Sequence, residues 1–371
     1  MADSNSIDAL RPELWSKKLY SDEMAGMYFT ENKMMGEDDN NIVQIKTELE
    51  KEQGDTITFG LTSKLSQAAI TGDNEAEGNE EAITPYSESV SIDQARFPVR
   101  LKGKLDEKKN GYDMRIDAKN KLAVRLQEFT ERQIFLKLAG VTVTTLTDIN
   151  GVVISADATW SNTSTKIPDA DTLAGTGNRY ICANSSGAAA LGAGDKITPD
   201  IISKARIKAS NSIPKIKPLR IKGKEWYVMF IHSWQMYDLM QNPIMSAALR
   251  DAWWRGDENP LFNNASLVWN GVIVHEHEYV PFLDISVVGN NFNATASGTD
   301  YSYDTFRAIL CGKQAIGYAR CQNDNSWVEN TKDYKNKTGF CTGIIGGIDK
   351  VMFNSKEYGC ITIDTTATSL A

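Results

Sequence analysis

Between Gly111 and Gly140 the chain runs for 28 residues, YDMRIDAKNKLAVRLQEFTERQIFLKLA, without a proline or a glycine. At 1.5 Å per residue this stretch predicts a rod of roughly 40 Å, far above the mean helix length. Ala118, Leu122, Leu126, Phe129 and Leu136 recur on one face at the helical period. A second apolar line, Ile116, Ala123 and Ile134, lies about a third of a turn away. Asp117 and Lys121, then Glu128 and Arg132, stand four apart in the favourable order. Gly140 suits the left-handed residue that follows a last helical turn. By periodicity alone this is the long core helix of an ordinary domain, so its flanks decide the rest.

Just upstream, Ile57, Phe59 and Leu61 alternate in GDTITFGLTSKL, as a strand does. Val90 and Ile92, then Phe97, Val99 and Leu101, alternate in ESVSIDQARFPVRLKG. The phase slips by one near Ala95–Arg96, which predicts a bulge or a change of face. Residues 66–87 between these strands make an unusually long hairpin tip. It carries Gly72, Gly78 and the acids Asp73, Glu75, Glu77, Glu80 and Glu81. A two-stranded ribbon of this kind is marginal in water by itself and is expected to lie on another molecule. The plainer reading of the acids is a solvated loop. Residues 1–41 form an arm with scattered anchors, among them Trp15, Met27, Tyr28 and Phe29, closed by the polar run GEDDNN. Its apolar density is too low for a core, so it is expected to dock on this subunit or a neighbour.

Downstream, residues 150–197 are rich in Ser, Thr, Ala, Gly, Asp and Asn and have the composition of an insertion of loops and short strands. Thr198-Pro199-Asp200 marks a helix start, with a cap, Pro in the first turn and an acid at the positive end. From Lys204 to Lys224 there are eight Lys or Arg and no acid. Lys204, Arg206, Lys208, Lys215, Lys217 and Arg220 are therefore candidates to face an acidic surface, such as the hairpin tip of another copy. A solvated face broken by Pro214 and Pro218 explains them equally well. EWYVMFIH predicts a buried strand, residues 234–240 and 243–254 short helices, Asn270-Gly271 a turn, and residues 282–304 a polar loop. FRAILCGKQAIGYA, GFCTGIIGGIDKVMF and YGCITIDTT supply closing strands. Strands and helices without strict alternation give an α+β class.

The 371 residues allow one large domain or two to three smaller ones. A net charge of -8 is the wrong sign for a protein that grips DNA phosphates. Five cysteines, Cys182, Cys311, Cys321, Cys341 and Cys360, include no CxxC pair and read as free thiols in a reducing compartment. The start MADSNSIDALRPELW lacks a signal-peptide pattern, and no run approaches 18 apolar residues, so no leader and no membrane span are expected. Of three histidines, His275 and His277 sit two apart on a strand, which could begin a metal site. Zinc needs three or four ligands, and only His232 remains. No nucleotide, hydrolase or metalloprotease motif is present, and GIIGG (343–347) has no helix after it to cradle phosphate.

The order of these segments resembles the major capsid proteins of tailed bacteriophages with the HK97 fold, most of all the N4 gp56-like major capsid proteins. The likeness rests on Gly54–Phe59, Gly72-Asp73, Glu77–Glu81, Ser91–Arg96 and Phe135–Gly140. It continues through Leu219–Leu239, Asn270–Glu276, Gly312–Ala315 and Gly346–Ile363, covering most of residues 40–365. The resemblance implies an HK97-like capsid fold in five parts. These are an N-terminal arm (1–41), an E-loop hairpin (42–107), a peripheral domain (108–197) with spine helix 111–140, an axial domain (198–329) and closing strands (330–371) that return to the peripheral domain. It implies no enzyme and no cofactor. It implies a shell of pentamers and hexamers that encloses double-stranded DNA without sequence-specific binding. Portal, separate scaffold and decoration proteins would be partners, and assembly would take place in the host cytoplasm. Two readings compete: an encapsulin-like nanocompartment shell, and a metal-dependent enzyme built on the His275/His277 strand.

Overall fold

A computed structural model describes residues 26–47, 54–62, 65, 68–72, 75, 77–78, 80–83, 85–109, 114–141, 160, 166, 179–221, 223–253, 267–283, 303–321, 328–353 and 356–368. The arm before residue 26, Asp73, and most of the expected insertion lie outside them. In chain order the first part holds α1 (Tyr28–Glu31), β1 (Met35–Gly36), β2 (Val43–Lys46), β3 (Thr56–Thr62), β4 (Pro85–Ser91) and β5 (Asp93–Arg100). Then come α2 (Lys104–Lys109), the long helix α3 (Met114–Ala139), β6 (Tyr180–Cys182), α4 (Pro199–Asn211), β7 (Leu219–Ile221) and β8 (Lys224–Ile231). They are followed by α5 (Ser233–Gln241), α6 (Pro243–Trp253), β9 (Leu267–Trp269), β10 (Val272–Glu276) and β11 (Phe282–Leu283). The chain closes with β12 (Thr305–Cys311), β13 (Ile316–Arg320), β14 (Val328–Lys332), β15 (Lys337–Lys350), β16 (Met352–Phe353), β17 (Lys356–Glu357) and β18 (Cys360–Thr366).

Two mixed sheets embrace α3. One has the order β1-β2-β13-β15-β14, with β5 also paired to β15. The other runs β6-β18-β12-β8-β10-β9, with β11 on β12 and β7 on β8. β12 and β18 are buried at every residue, as central strands covered on both faces must be. Parallel and antiparallel pairs occur in each sheet, which is the expected α+β arrangement. The two closing strands β13 and β18 join different sheets. β13, placed with the axial segment, hydrogen-bonds into the first sheet, and β18, placed with the peripheral one, into the second. Apolar content cannot tell two buried sheets apart, so strand membership was not legible.

The helix α3 ends as its sequence predicts. Gly140 adopts φ 63°, its N–H bonds to the Lys137 carbonyl at 3.1 Å, and Val141 N–H reaches Leu136 O at 3.2 Å. Ala118, Leu122, Leu126, Phe129 and Leu136 are buried, and Lys121 pairs with Asp117 at 2.8 Å. Ile116 departs from expectation and is 51% exposed. It lies in the first turn, whereas every residue from Phe129 to Ala139 is buried, polar ones included. The sheets close around the second half of the helix, and tertiary position overrides the stripe. Arg307 ties that end to the second sheet. It donates to Ala139 O at 3.3 Å and makes a bidentate pair with Asp364 at 2.8 Å, both residues fully buried. Tyr180 donates to the same carboxylate at 2.8 Å.

The expected phase slip is a change of face. Val90 and Ile92 pack with β3, whereas Ala95, Phe97 and Val99 turn onto α3, Phe97 meeting Phe129 at 5.2 Å. The break falls at Ile92, between β4 and β5, rather than at Ala95–Arg96, because β5 leaves the ribbon there to pair with β15.

Candidate intersubunit surfaces

The ribbon β3–β4 is fully paired from Thr56↔Ser91 to Thr62↔Pro85. Ile57, Phe59 and Val90 are buried against Ala319 of β13. Close approach is possible because Gly317 lacks a side chain: a Cβ there would lie 2.6 Å from the Phe59 ring. Lys46 Nζ sits 4.8 Å from the centre of that ring and donates to Thr58 O at 2.9 Å. Leu61 and Tyr86 pack on Val351, Phe353 and Tyr358. Lys166 bridges Glu88 of the ribbon and Asp349 of β15. The root is therefore held by its own subunit. Beyond it the described tip residues turn outward: Leu65 is 54% exposed, Ile70 41% and Ile83 63%. Glu75, Glu77 and Glu80 are exposed, Glu81 is partly so, and the Glu80 carboxylate accepts from Gly78 N–H at 2.9 Å.

The six basic candidates divide into two groups. Lys204 pairs with Asp200 one turn away at 2.7 Å, Arg206 donates to Asn270 Oδ1 at 2.8 Å, and Lys208 donates to Tyr180 O at 2.7 Å. All three lie on α4, capped by Thr198 as its sequence predicts. Lys215, Lys217 and Arg220 lie past the helix, where two clefts of about 330 and 500 Å³ meet at Lys217 and Lys313. Asn40 clamps the Arg220 backbone there, accepting its N–H at 2.8 Å and donating to its carbonyl at 2.9 Å. Lys313 is the member that sequence reasoning missed. It stands alone between β12 and β13, and only the fold brings it to the basic stretch, where its N–H bonds to Lys217 O at 2.9 Å.

His275 and His277 share one side of the second sheet's edge, as the spacing predicts, but aromatic rings fill that side. Tyr28 Oη lies 2.8 Å from His275 Nδ1, and its ring meets His277 edge-on at 4.6 Å. His277 also stacks on Phe135 at 4.5 Å. Burial pushes both imidazoles down to about 4, and His275 lowers His277 further. Tyr28 N–H donates to Glu131, whose carboxyl burial holds above its ordinary value. Phe29 packs on Phe135 and Phe230 at 5.2 and 5.5 Å. This part of the arm thus docks on its own subunit. His232 lies elsewhere, capping α5 with its Nδ1 accepting from Trp234 N–H at 3.3 Å. Among the described residues no group of three or more His, Cys, Asp or Glu could hold a metal ion. The five cysteines are free thiols. No helix among the described residues is long and apolar enough to cross a membrane.

A family model described as phage capsid protein matches residues 3–369. The chain is 28% identical over 347 residues to the major capsid protein of Pseudomonas phage KPP25, covering 91% of this chain and 90% of that one. Its fold is similar to that of the capsid of Ralstonia phage GP4, with TM-score 0.76, 24% identity, and coverage of 100% of this chain and 96% of the other. The capsid of cyanophage Pam1 aligns with TM-score 0.71 and 24% identity over 99% of each chain.

Proposed function

The chain belongs to the phage capsid protein family, and we propose how it works as a major capsid protein, the subunit that forms a virion's shell. Its HK97-like fold provides a rigid body and a hairpin. Within residues 42–107 the ribbon β3–β4 and its tip act as the E-loop that reaches over an adjacent subunit, anchored in the first sheet by β2 and β5. The α3 segment and the first sheet form the peripheral domain, and the second sheet with α4, α5 and α6 forms the axial domain around five- and six-fold centres. The observation that carries this reading is the ribbon itself. Its root is buried on its own subunit, while Leu65, Ile70 and Ile83 at the tip face outward, apolar surface that a neighbour would cover.

Each such contact is modest, but every subunit both gives and receives one, so a closed shell is held by many together. Closed symmetry prevents runaway growth. Contact between the acidic tip (Asp73, Glu75, Glu77, Glu80, Glu81) and the part of the basic stretch past α4 (Lys215, Lys217, Arg220) sets the register. The chain acts without catalysis. Its net charge of -8 suits a container that holds double-stranded DNA without gripping it. A portal, decoration proteins and a separate scaffold, which sets the shell's size but is not needed for subunits to associate, complete the particle, assembled in the host cytoplasm. Deleting residues 67–82 tests the reading: the subunit should keep its circular dichroism and melting temperature but no longer build shells. Normal assembly of that deletion would remove the role given to the hairpin.

A further inference from the structure

We propose that the double cleft around Lys215, Lys217, Arg220 and Lys313 is the seat for the acidic, apolar hairpin tip of a second copy. The inference rests on the shell reading above and names where the hairpin lands. Lys217 and Lys313 line both clefts, Lys215 and Arg220 the larger one, and Lys46 the smaller. Of the two carboxylates lining the clefts, one faces a cation and the other accepts from neutral amides. Glu225 faces Arg220 at 3.6 Å, and Asp39 accepts from Gln44 and Gln314 at 3.3 and 3.2 Å. Among the described residues Lys215 and Lys313 make no ion pair, and Lys217 has only the Tyr358 ring, 5.8 Å away. The frame beneath them is fixed by the Asn40 clamp and by Gly312, whose absent Cβ would lie 2.4 Å from Lys217 O.

The tip matches this surface in both charge and apolar character. Glu77 and Glu80 are exposed, and Leu65, Ile70 and Ile83 are exposed on the same hairpin. Ile213 and Ile221, next to the basic residues in sequence, are 81% and 43% exposed. An acidic, apolar finger thus meets a basic seat with Ile213 and Ile221 next to it in sequence, and opposite potentials fix orientation and register. Lys204, Arg206 and Lys208 fall outside the seat because α4 engages them locally.

Particles assembled from mixed ¹⁴N and ¹⁵N full-length chains, treated with a carbodiimide, test the seat without any substitution. Mixed-isotope cross-links from Glu77, Glu80 or Glu81 to Lys215, Lys217 or Lys313 are expected. Cross-links that join the tip only to lysines outside the two clefts overturn the seat. As a second measurement, Lys215→Glu with Lys313→Glu, and separately Glu77→Lys with Glu80→Lys, should each lower the assembled fraction about tenfold at about 0.1 M NaCl. Combining all four in one chain should restore it. Unchanged assembly in both pairs, or no rescue by the swap, also overturns the seat. If the unsubstituted chain never assembles, the shell reading itself fails. If it assembles while the seat tests fail, only the landing site is wrong.

Discussion

Arg307 and Asp364 show how one pair of residues can join two layers. Both are fully buried, and they hold the carbonyl end of α3 against the second sheet. Removing one partner leaves the other charge buried and uncompensated, so Asp364→Ala should cost about 3–5 kcal/mol in urea unfolding of the isolated subunit. Nothing in the spacing of FRAILC and CITIDTT marked these residues as partners, because they meet only through the β12–β18 register Arg307↔Asp364. The histidines carry a second residue-scale expectation. Their folded pKa values near 4 lie below the ordinary 6.5, so protons bind the unfolded chain more readily. Stability is therefore retained above pH 6.5 and lost as pH falls toward 4, by on the order of 2 kcal/mol for each ring. Glu131, held above its ordinary value, acts with the opposite sign and offsets part of that loss, and Glu31, Glu128 and Glu278 lie close enough to raise it. Melting temperature should fall between pH 6.5 and 4, and less steeply in His277→Phe, which keeps the stack on Phe135.

At the scale of elements, the sequence was most informative where local physics decides. The caps of α3 and α4, the Asn270-Gly271 turn with φ 45° and 76°, and the strands β3, β8 and β15 were all legible from period and punctuation. It was least informative where partners are distant in sequence. Gly317 looked like an ordinary glycine in QAIGYA, yet its missing side chain is where Phe59 lies. Gly317→Val should lift the ribbon root from β13. Hydrogen exchange at the β3–β4 amides should then accelerate at least tenfold, while amides of α3 change little. Protection of the ribbon equal to that of the parent chain would show that its docking does not depend on this approach. The basic stretch was visible as a run of charge, but the division into residues engaged on α4 and residues lining the clefts was not. That division depends on Asn270, Tyr180 and Lys313, which are brought close only by folding.

At the scale of the whole molecule, the subunit pairs a body with its own two-sheet core and a hairpin whose described tip residues Leu65, Ile70 and Ile83 are exposed. The most direct measurement is electron microscopy of the purified full-length chain across a range of concentrations, with sedimentation on the same samples. Curved or closed assemblies that grow with concentration and are lost when residues 67–82 are removed are expected. A compact, monodisperse monomer at every concentration, or a deletion that assembles like its parent, would contradict the shell reading.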